Sequence, residues 1–149
     1  MTALAQLFQN RVLTTTLLGW LVAQSIKVAI AVRQRRRFDV RWFLGTGGMP
    51  SAHSSGVSSL AMAVGFQVGF HTALFAVALM FAVVTMFDAQ GVRRAAGRQA
   101  MVLNQMVDEL YVKGQVSQER LKELLGHTPI EVLVGSALGS AIAMLMYRT

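Results

Sequence analysis

The chain contains no cysteine. That absence excludes a disulfide-stapled scaffold, a thiolate metal site and a cysteine nucleophile together. Charge is also scarce: Asp, Glu, Lys and Arg make up 14% of the 149 residues, against about a quarter in a soluble domain. Acidic side chains are the scarcest, 7 against 14 Lys and Arg, so the formal net charge is +7. Aromatic residues reach only 8%, and the arginines adjoin apolar runs, so no nucleic-acid partner is expected. Proline occurs only as Pro50 and Pro129. What fills the sequence is apolar: 54% of the residues are hydrophobic, set in long blocks that exclude disorder. The length suits one domain, 1–149, and no internal repeat or low-complexity tract divides it.

Four blocks span or nearly span a bilayer, which takes about 20 residues with a lower bound near 17. Val12–Val32 carries only Lys27, and Ser54–Phe70 is uncharged but rich in serine, glycine and alanine. Thr72–Phe87 is short and followed by Asp88, and Ile130–Tyr147 carries only Glu131. The first reads as a retained anchor, because its apolar stretch is too long for a secretory signal and Lys27 interrupts it. Small residues recur at four-residue intervals, Ala61, Gly65 and Gly69 in the second block and Gly135 and Gly139 in the fourth. In lipid this spacing lets helix backbones approach closely, within the chain or in a homodimer. Gly69–His71 alone separates the second and third blocks, which predicts a tight antiparallel hairpin.

Between Asp88 and Pro129 the chain turns polar. Val92, Ala96, Gln99, Leu103, Met106 and Leu110 recur at spacings of four and three, predicting an amphipathic helix that Gly114 ends. Ser117 caps a second short helix with Glu119 in its first turn, and Gly126 suits the position after it. The expected fold is all-α, an integral membrane helical bundle with about four transmembrane helices. One or two amphipathic helices lie in the loop between the third and fourth.

If the spans alternate direction, most of the positive charge falls on one face. Arg33, Arg35, Arg36, Arg37 and Arg41 follow the first span, and Arg93, Arg94, Arg98, Lys113, Arg120 and Lys122 follow the third. Arg11 and Arg148 lie on the other face. The positive-inside rule makes the basic face cytoplasmic, in a bacterial inner membrane or an organellar membrane. Arg33–Arg37 reads as a topology signal and headgroup anchor, or as an attractor for an anionic substrate. The same alternation gathers Lys27, His53, Asp88, Arg93, His127 and Glu131 at that face, and ionisable groups at membrane depth usually mark function. His71 falls in the opposite turn and takes no role.

Pro50 and Pro129 each stand at the mouth of an expected helix, where a missing N–H costs nothing. Gly47-Gly48 before Pro50 and Gly126 before Pro129 lead into N-termini that present free N–H groups and a positive dipole end. Flanked by Lys27 and Arg93, two such mouths form an anion pocket suited to phosphate. A divalent cation on Asp88, His53, His127 and Glu131 is disfavoured, because the neighbouring Lys27 and Arg93 would repel it.

At these residues the sequence resembles a known superfamily. Gly48-Met49-Pro50-Ser51-Ala52-His53-Ser54 is similar to the Pro-Ser-Gly-His motif of the type 2 phosphatidic acid phosphatases and vanadium-dependent haloperoxidases. His127-x-x-x-Glu131-Val132-x-x-Gly135 resembles their final motif, with glutamate in place of the usual aspartate. Asp88-Ala89-Gln90-Gly91-Val92-Arg93-Arg94, with Gly97, Gln99-Ala100 and Leu103-Asn104, looks like the small divergent branch of that superfamily. The resemblance covers roughly Lys27 to Gly139. Two arginine motifs depart from the pattern: Gln34 stands where Arg-Pro would follow the lysine, and Leu121 where an arginine would precede the final histidine. On spatial grounds Arg93 takes the missing arginine's place.

The resemblance implies a membrane phosphatase acting on a lipid phosphate monoester or a lipid or prenyl diphosphate. His127 would be the nucleophile and form a phosphohistidine, with Glu131 one turn later holding its ring. His53 would protonate the leaving oxygen. Lys27, Arg93 and Arg94, with Ser51 and nearby backbone N–H groups, would cradle the phosphoryl oxygens, and Asp88 would support the site. This chemistry implies no cofactor and no metal, and membrane lipids as partners. The other reading is a non-enzymatic membrane component that binds or transports a lipid phosphate in the same pocket.

Overall fold

A computed structural model of the chain describes residues 3–36, 48–112 and 127–148. These residues form six helices: α1 (Ala3–Gln9), α2 (Arg11–Arg35), α3 (Ala52–Val68), α4 (Ala73–Gln90), α5 (Val92–Val112) and α6 (Pro129–Tyr147). The short α1 lies outside every hydropathy block.

Side-chain caps set most of the boundaries. Asn10 starts α2 by accepting from the Leu13 N–H at 3.0 Å. The helix outruns the expected Val32 and ends at Arg36, which takes a left-handed conformation and returns its N–H to the Val32 carbonyl. Arg33, Gln34 and Arg35 are good helix formers that no hydropathy scale marks. Ser51 caps α3 and Thr72 caps α4. α3 stops at Val68 rather than Phe70, because Gly69 takes φ 99°, a conformation that favours glycine. α4 continues through Asp88 to Gln90, so Asp88 belongs to the last helical turn and does not follow it. The predicted helix from Ser117 and its stop at Gly126, like Gly114, lie outside the described residues.

α3 occupies the centre and packs on α2, α4 and α6, while α2 also packs on α6. Hydrogen bonds fix the directions. The Ser51 N–H at the start of α3 donates to the Glu131 carbonyl at the start of α6, and Tyr147 at the end of α6 donates to Gln67 at the end of α3. These two helices are therefore parallel. α2 runs against them: Arg11 at its start donates to the Met146 carbonyl at 2.8 Å and lies 5.0 Å from the Tyr147 ring centroid. α4 returns from α3 through the short turn at Gly69–Thr72, as the hairpin predicts.

The bundle is polar and small inside and apolar outside. Ser55 donates to the Gly19 carbonyl at 2.8 Å, Ser59 to the Gly139 carbonyl at 3.0 Å, and the Ser58 and Ser136 hydroxyls meet at 2.8 Å. Gly135 and Gly139 do the close packing that their spacing predicts, against the backbone of Ser51 and Ser55. Gly65 instead makes room for the Phe70 ring, and Gly69 belongs to the turn. Leu17, Leu21, Val77, Phe81, Val84, Leu133 and Leu145 all point outward, a surface that suits lipid and would aggregate in water. Among the described residues three helical stretches are long and apolar enough to cross a membrane: Arg11–Gln34, Ala73–Val107, which takes in α4 and most of α5, and Pro129–Tyr147. α3, with 17 residues and its serines, is not one of them.

α5 is helical as expected, but its predicted stripe is not its buried face. Gly97, Ala100 and Asn104 are buried, whereas Leu103 and Met106 of the stripe are exposed together with Val102. Periodicity identifies a stripe without saying whether protein or another apolar phase covers it.

Candidate functional site

Four chain segments converge at the end of the bundle where α3 and α6 begin and α2 and α4 finish. From α2 comes Lys27, half-buried, on the inward stripe that runs through Thr15, Gly19 and Ala23. The turn before α3 passes directly against its stem. Gly48 has φ 84°, and a Cβ there would stand 3.4 Å from Lys27 Cδ. A side chain at this position would meet both backbone strain and the lysine.

Ser51 is fully buried. Its hydroxyl accepts from the Ser54 N–H at 3.3 Å and lies 3.0 Å from the Ser54 hydroxyl. The Ser51 N–H donates to the Glu131 carbonyl at 3.1 Å. That bond locks the mouth of α3 to the first turn of α6. His53 follows in the first turn of α3 and is half-buried.

His127 is 3% exposed and held from two sides. Its backbone N–H donates to the Ala89 carbonyl in the last turn of α4 at 3.0 Å. Its ring Nδ1 lies 3.0 Å from Glu131 Oε2. A carboxylate only accepts, so Nδ1 carries the proton, and Nε2 is the ring atom left for chemistry. Glu131 is fixed in turn. Its Oε2 also accepts from the Thr128 N–H at 3.1 Å, while Thr128 Oγ1 accepts from the Glu131 N–H at 3.3 Å. This is a capping box with Pro129 in the first turn, which satisfies two orphan donors reciprocally. The His53 and His127 ring centroids are 6.0 Å apart with planes inclined at 60°. Lys27 lies within electrostatic reach of Glu131.

Lys27, Ser51, His53, Asp88, His127 and Glu131 thus share one end of the bundle. Asp88 is adjacent in sequence to Ala89, whose carbonyl holds His127. Arg93 and Arg94 fall in the first turn of α5, and their side chains lie outside the described residues. Among the described residues no three His, Asp or Glu groups stand close enough together to hold a metal ion. Four contributors to the site are not among the candidate site residues: Gly48, Ser54, Thr128 and the Ala89 carbonyl. Gly48 carries a readable signal as a glycine leading into the Pro50 mouth, and Thr128 carries the Thr-x-x-Glu capping pattern.

The profile of the divergent PAP2 family matches residues 8–142. The chain belongs to the divergent PAP2 family. It is similar to a Bacillus subtilis (strain 168) protein named uncharacterized membrane protein YuiD, with 41% identity over 152 residues, covering 95% of this chain and 96% of that protein. No solved structure matches the chain. Membership of the divergent PAP2 family, joined to the apolar exterior, makes this an integral membrane protein and points to a phosphatase-type hydrolase.

Proposed function

We propose that this divergent PAP2 protein is an integral-membrane phosphatase that hydrolyses a lipid phosphate monoester or diphosphate through a phosphohistidine. The observation that carries the reading is a buried His127 oriented by Glu131 and the Ala89 carbonyl, with the His53 ring 6.0 Å away. One imidazole is held with a single nitrogen outward, and a second stands close enough to reach the same phosphoryl group.

In the first step His127 Nε2 attacks phosphorus, the P–O bond to the leaving group breaks, and His53 donates its proton to the departing oxygen. Glu131 stabilises the imidazolium that develops on His127. In the second step water attacks phosphorus and gives a proton back to His53, the P–N bond breaks, and phosphate leaves. Lys27, with Arg93 and Arg94 from α5, neutralises the phosphoryl oxygens, and Ser51 with the α3 mouth completes the cradle. Asp88 supports the last turn of α4. The reaction calls on no metal, so chelators leave it unchanged. α3 crosses the bilayer as a fourth span inside its three apolar neighbours, and the site faces the cytoplasm.

Purified protein in detergent is expected to release phosphate from a panel of lipid phosphomonoesters and diphosphates. His127→Ala should lower the rate by on the order of 10³-fold or more, and His53→Ala should spare substrates with a good leaving group. Full activity in His127→Ala would falsify the mechanism. A second reading, lipid-phosphate binding without turnover, is favoured by Gln34 and Leu121 at the superfamily's arginine positions. It predicts saturable binding with no phosphate released.

A further inference from the structure

α5 stands apart from the bundle: among the described residues only α4 packs on it. It is also by far the most amphipathic of the helices α2 to α6. One side carries Gly97, Ala100 and Asn104, all buried. At about 100° per residue, a different strip holds Ala95, Val102, Leu103 and Met106. The last three are 46, 48 and 55% exposed. Arg98 and Gln105, exposed as well, border that strip on the edge away from the buried side.

The strip continues the lipid-facing side of α4. Val77, Phe81, Val84 and Phe87 of α4 are exposed, and helical steps lead from them through Gly91 to Ala95, Val102 and Met106. Length decides where this side can go. α4 has 18 residues, about 27 Å of helix, which nearly uses up a hydrocarbon core of about 30 Å. It finishes at the histidine end of the bundle, where the Ala89 carbonyl meets His127. Continued along the same axis, Val102 and Met106 would stand about 18 and 24 Å beyond Gln90, surrounded by water. The hydrocarbon core is closed to α5, which contains Arg93, Arg94, Arg98, Asp108 and Glu109, because each charge there is costly. The two helices meet at Gly91: its N–H closes α4 on the Phe87 carbonyl at 2.7 Å, and its carbonyl takes the Ala95 N–H at 2.9 Å. A break at this point lets α5 turn into the plane of the membrane surface.

We infer that α5 lies in the interface of an anionic bilayer, with Val102, Leu103 and Met106 dipped toward the acyl chains and Arg98 level with the lipid phosphates. Charge fits this partner. Arg93, Arg94 and Arg98 stand in the first two turns of α5, with no acidic residue among them. A helix N-terminus disfavours cations unless anions lie close by, and headgroup phosphates supply those anions. Arg33 and Arg36 at the end of α2 extend the same basic face. This seat requires neither a substrate nor turnover, so it stands independently of the phosphatase reading.

The chain has no cysteine, so Met101→Cys, Val102→Cys, Gln105→Cys and Met106→Cys each give the full protein a single spin-label site on an exposed side chain. The variants are measured in nanodiscs of phosphatidylcholine mixed with phosphatidylglycerol. The ratio of oxygen to nickel-chelate collisions should be about threefold or more higher at positions 102 and 106 than at 101 and 105. Equal ratios at all four positions would put α5 in water and overturn the inference. Few collisions with either reagent at 102 and 106 would put a second copy or another stretch of this chain over the strip, and overturn it as well. On the Met106→Cys background, Arg98→Glu should lower the ratio by about half; no fall overturns the pairing with anionic headgroups. If a variant does not fold, a lipid-borne diazirine decides the same point on the wild-type chain. Its adducts should fall on Val102, Leu103 and Met106 rather than Gln105, and equal labelling of Gln105 sinks the inference.

Discussion

Replacing Gly135 by alanine tests whether the close contact of α6 with α3 sets the geometry of the site. A Cβ at Gly135 would overlap the Ser51 carbonyl oxygen, stand 3.2 Å from the Ser51 carbonyl carbon and 3.1 Å from Ser54 Cβ. Comfortable carbon contacts begin at about 3.5–4.0 Å, so α6 must retreat from α3 by about 0.5–1 Å. Ser51 is the cap of α3 and cannot yield without losing its bond to Ser54. The retreat therefore stretches the 3.1 Å bond from the Ser51 N–H to the Glu131 carbonyl and carries His127 away from His53. Overpacking of this kind costs about 1–3 kcal/mol. A displacement near 1 Å at reacting groups costs as much as about 10²-fold in rate. Thermal unfolding in detergent and phosphate release should both register the change, with the loss of activity exceeding what the lost stability explains at 25 °C. A Gly135→Ala protein with wild-type melting and wild-type turnover would refute the reasoning, because the contact would then be either absent or elastic.

Three further substitutions separate the site from the scaffold. Glu131→Gln keeps an oxygen to accept from the Thr128 N–H but removes the charge beside His127; activity should fall on the order of 10²-fold while stability changes by less than about 1 kcal/mol, as activity and melting curves on one preparation would show. Arg11→Ala removes the cation from the last carbonyls of α6 and from the Tyr147 ring, at the end of the bundle far from His127; stability should drop by about 1–2 kcal/mol with turnover unchanged. Thr15 is fully buried, with no hydrogen-bond partner for its hydroxyl among the described residues, so Thr15→Val should raise stability by up to about 1 kcal/mol, and a lowered melting temperature would count against that.

Hydropathy made α2, α4 and α6 legible, because a long apolar run in this chain has lipid as its destination. The alternation of spans was enough to bring His53 and His127 to one end, and the proline and glycine positions marked both helix mouths. Other features depend on contacts distant in sequence. Nothing local announces that the Ala89 carbonyl receives the His127 N–H, or that Gly48 takes a positive φ beneath Lys27. The apolar stripe of α5 was visible as a period, but its exposure was not. In a membrane protein an apolar face turns outward as readily as inward. The helix least convincing as a span, α3, is the one on which the others are assembled. Its serines look unfit for lipid until Gly19, Ser136 and Gly139 are found accepting or sharing their hydrogen bonds.

The parallel pairing of α3 and α6 also supports the proposal that this end of the bundle takes an anion. Each N-terminus carries roughly half a positive charge, and two of them about 9 Å apart repel by about 0.5 kcal/mol at an effective dielectric near 20. A phosphoryl dianion midway between them is attracted by several kcal/mol on the same scale, an order of magnitude more. The neighbouring C-terminal ends of α2 and α4 oppose this attraction. Arg33 and Arg36 at the end of α2 sit where cations offset such an end. Lys27 then stands one side chain away from the α3 mouth, against Gly48. On the proposed reading, the cations at this end act locally: without Lys27, Arg33 and Arg36 the helix ends at this face would roughly cancel, and a phosphate at the two histidines would meet little net field to hold it.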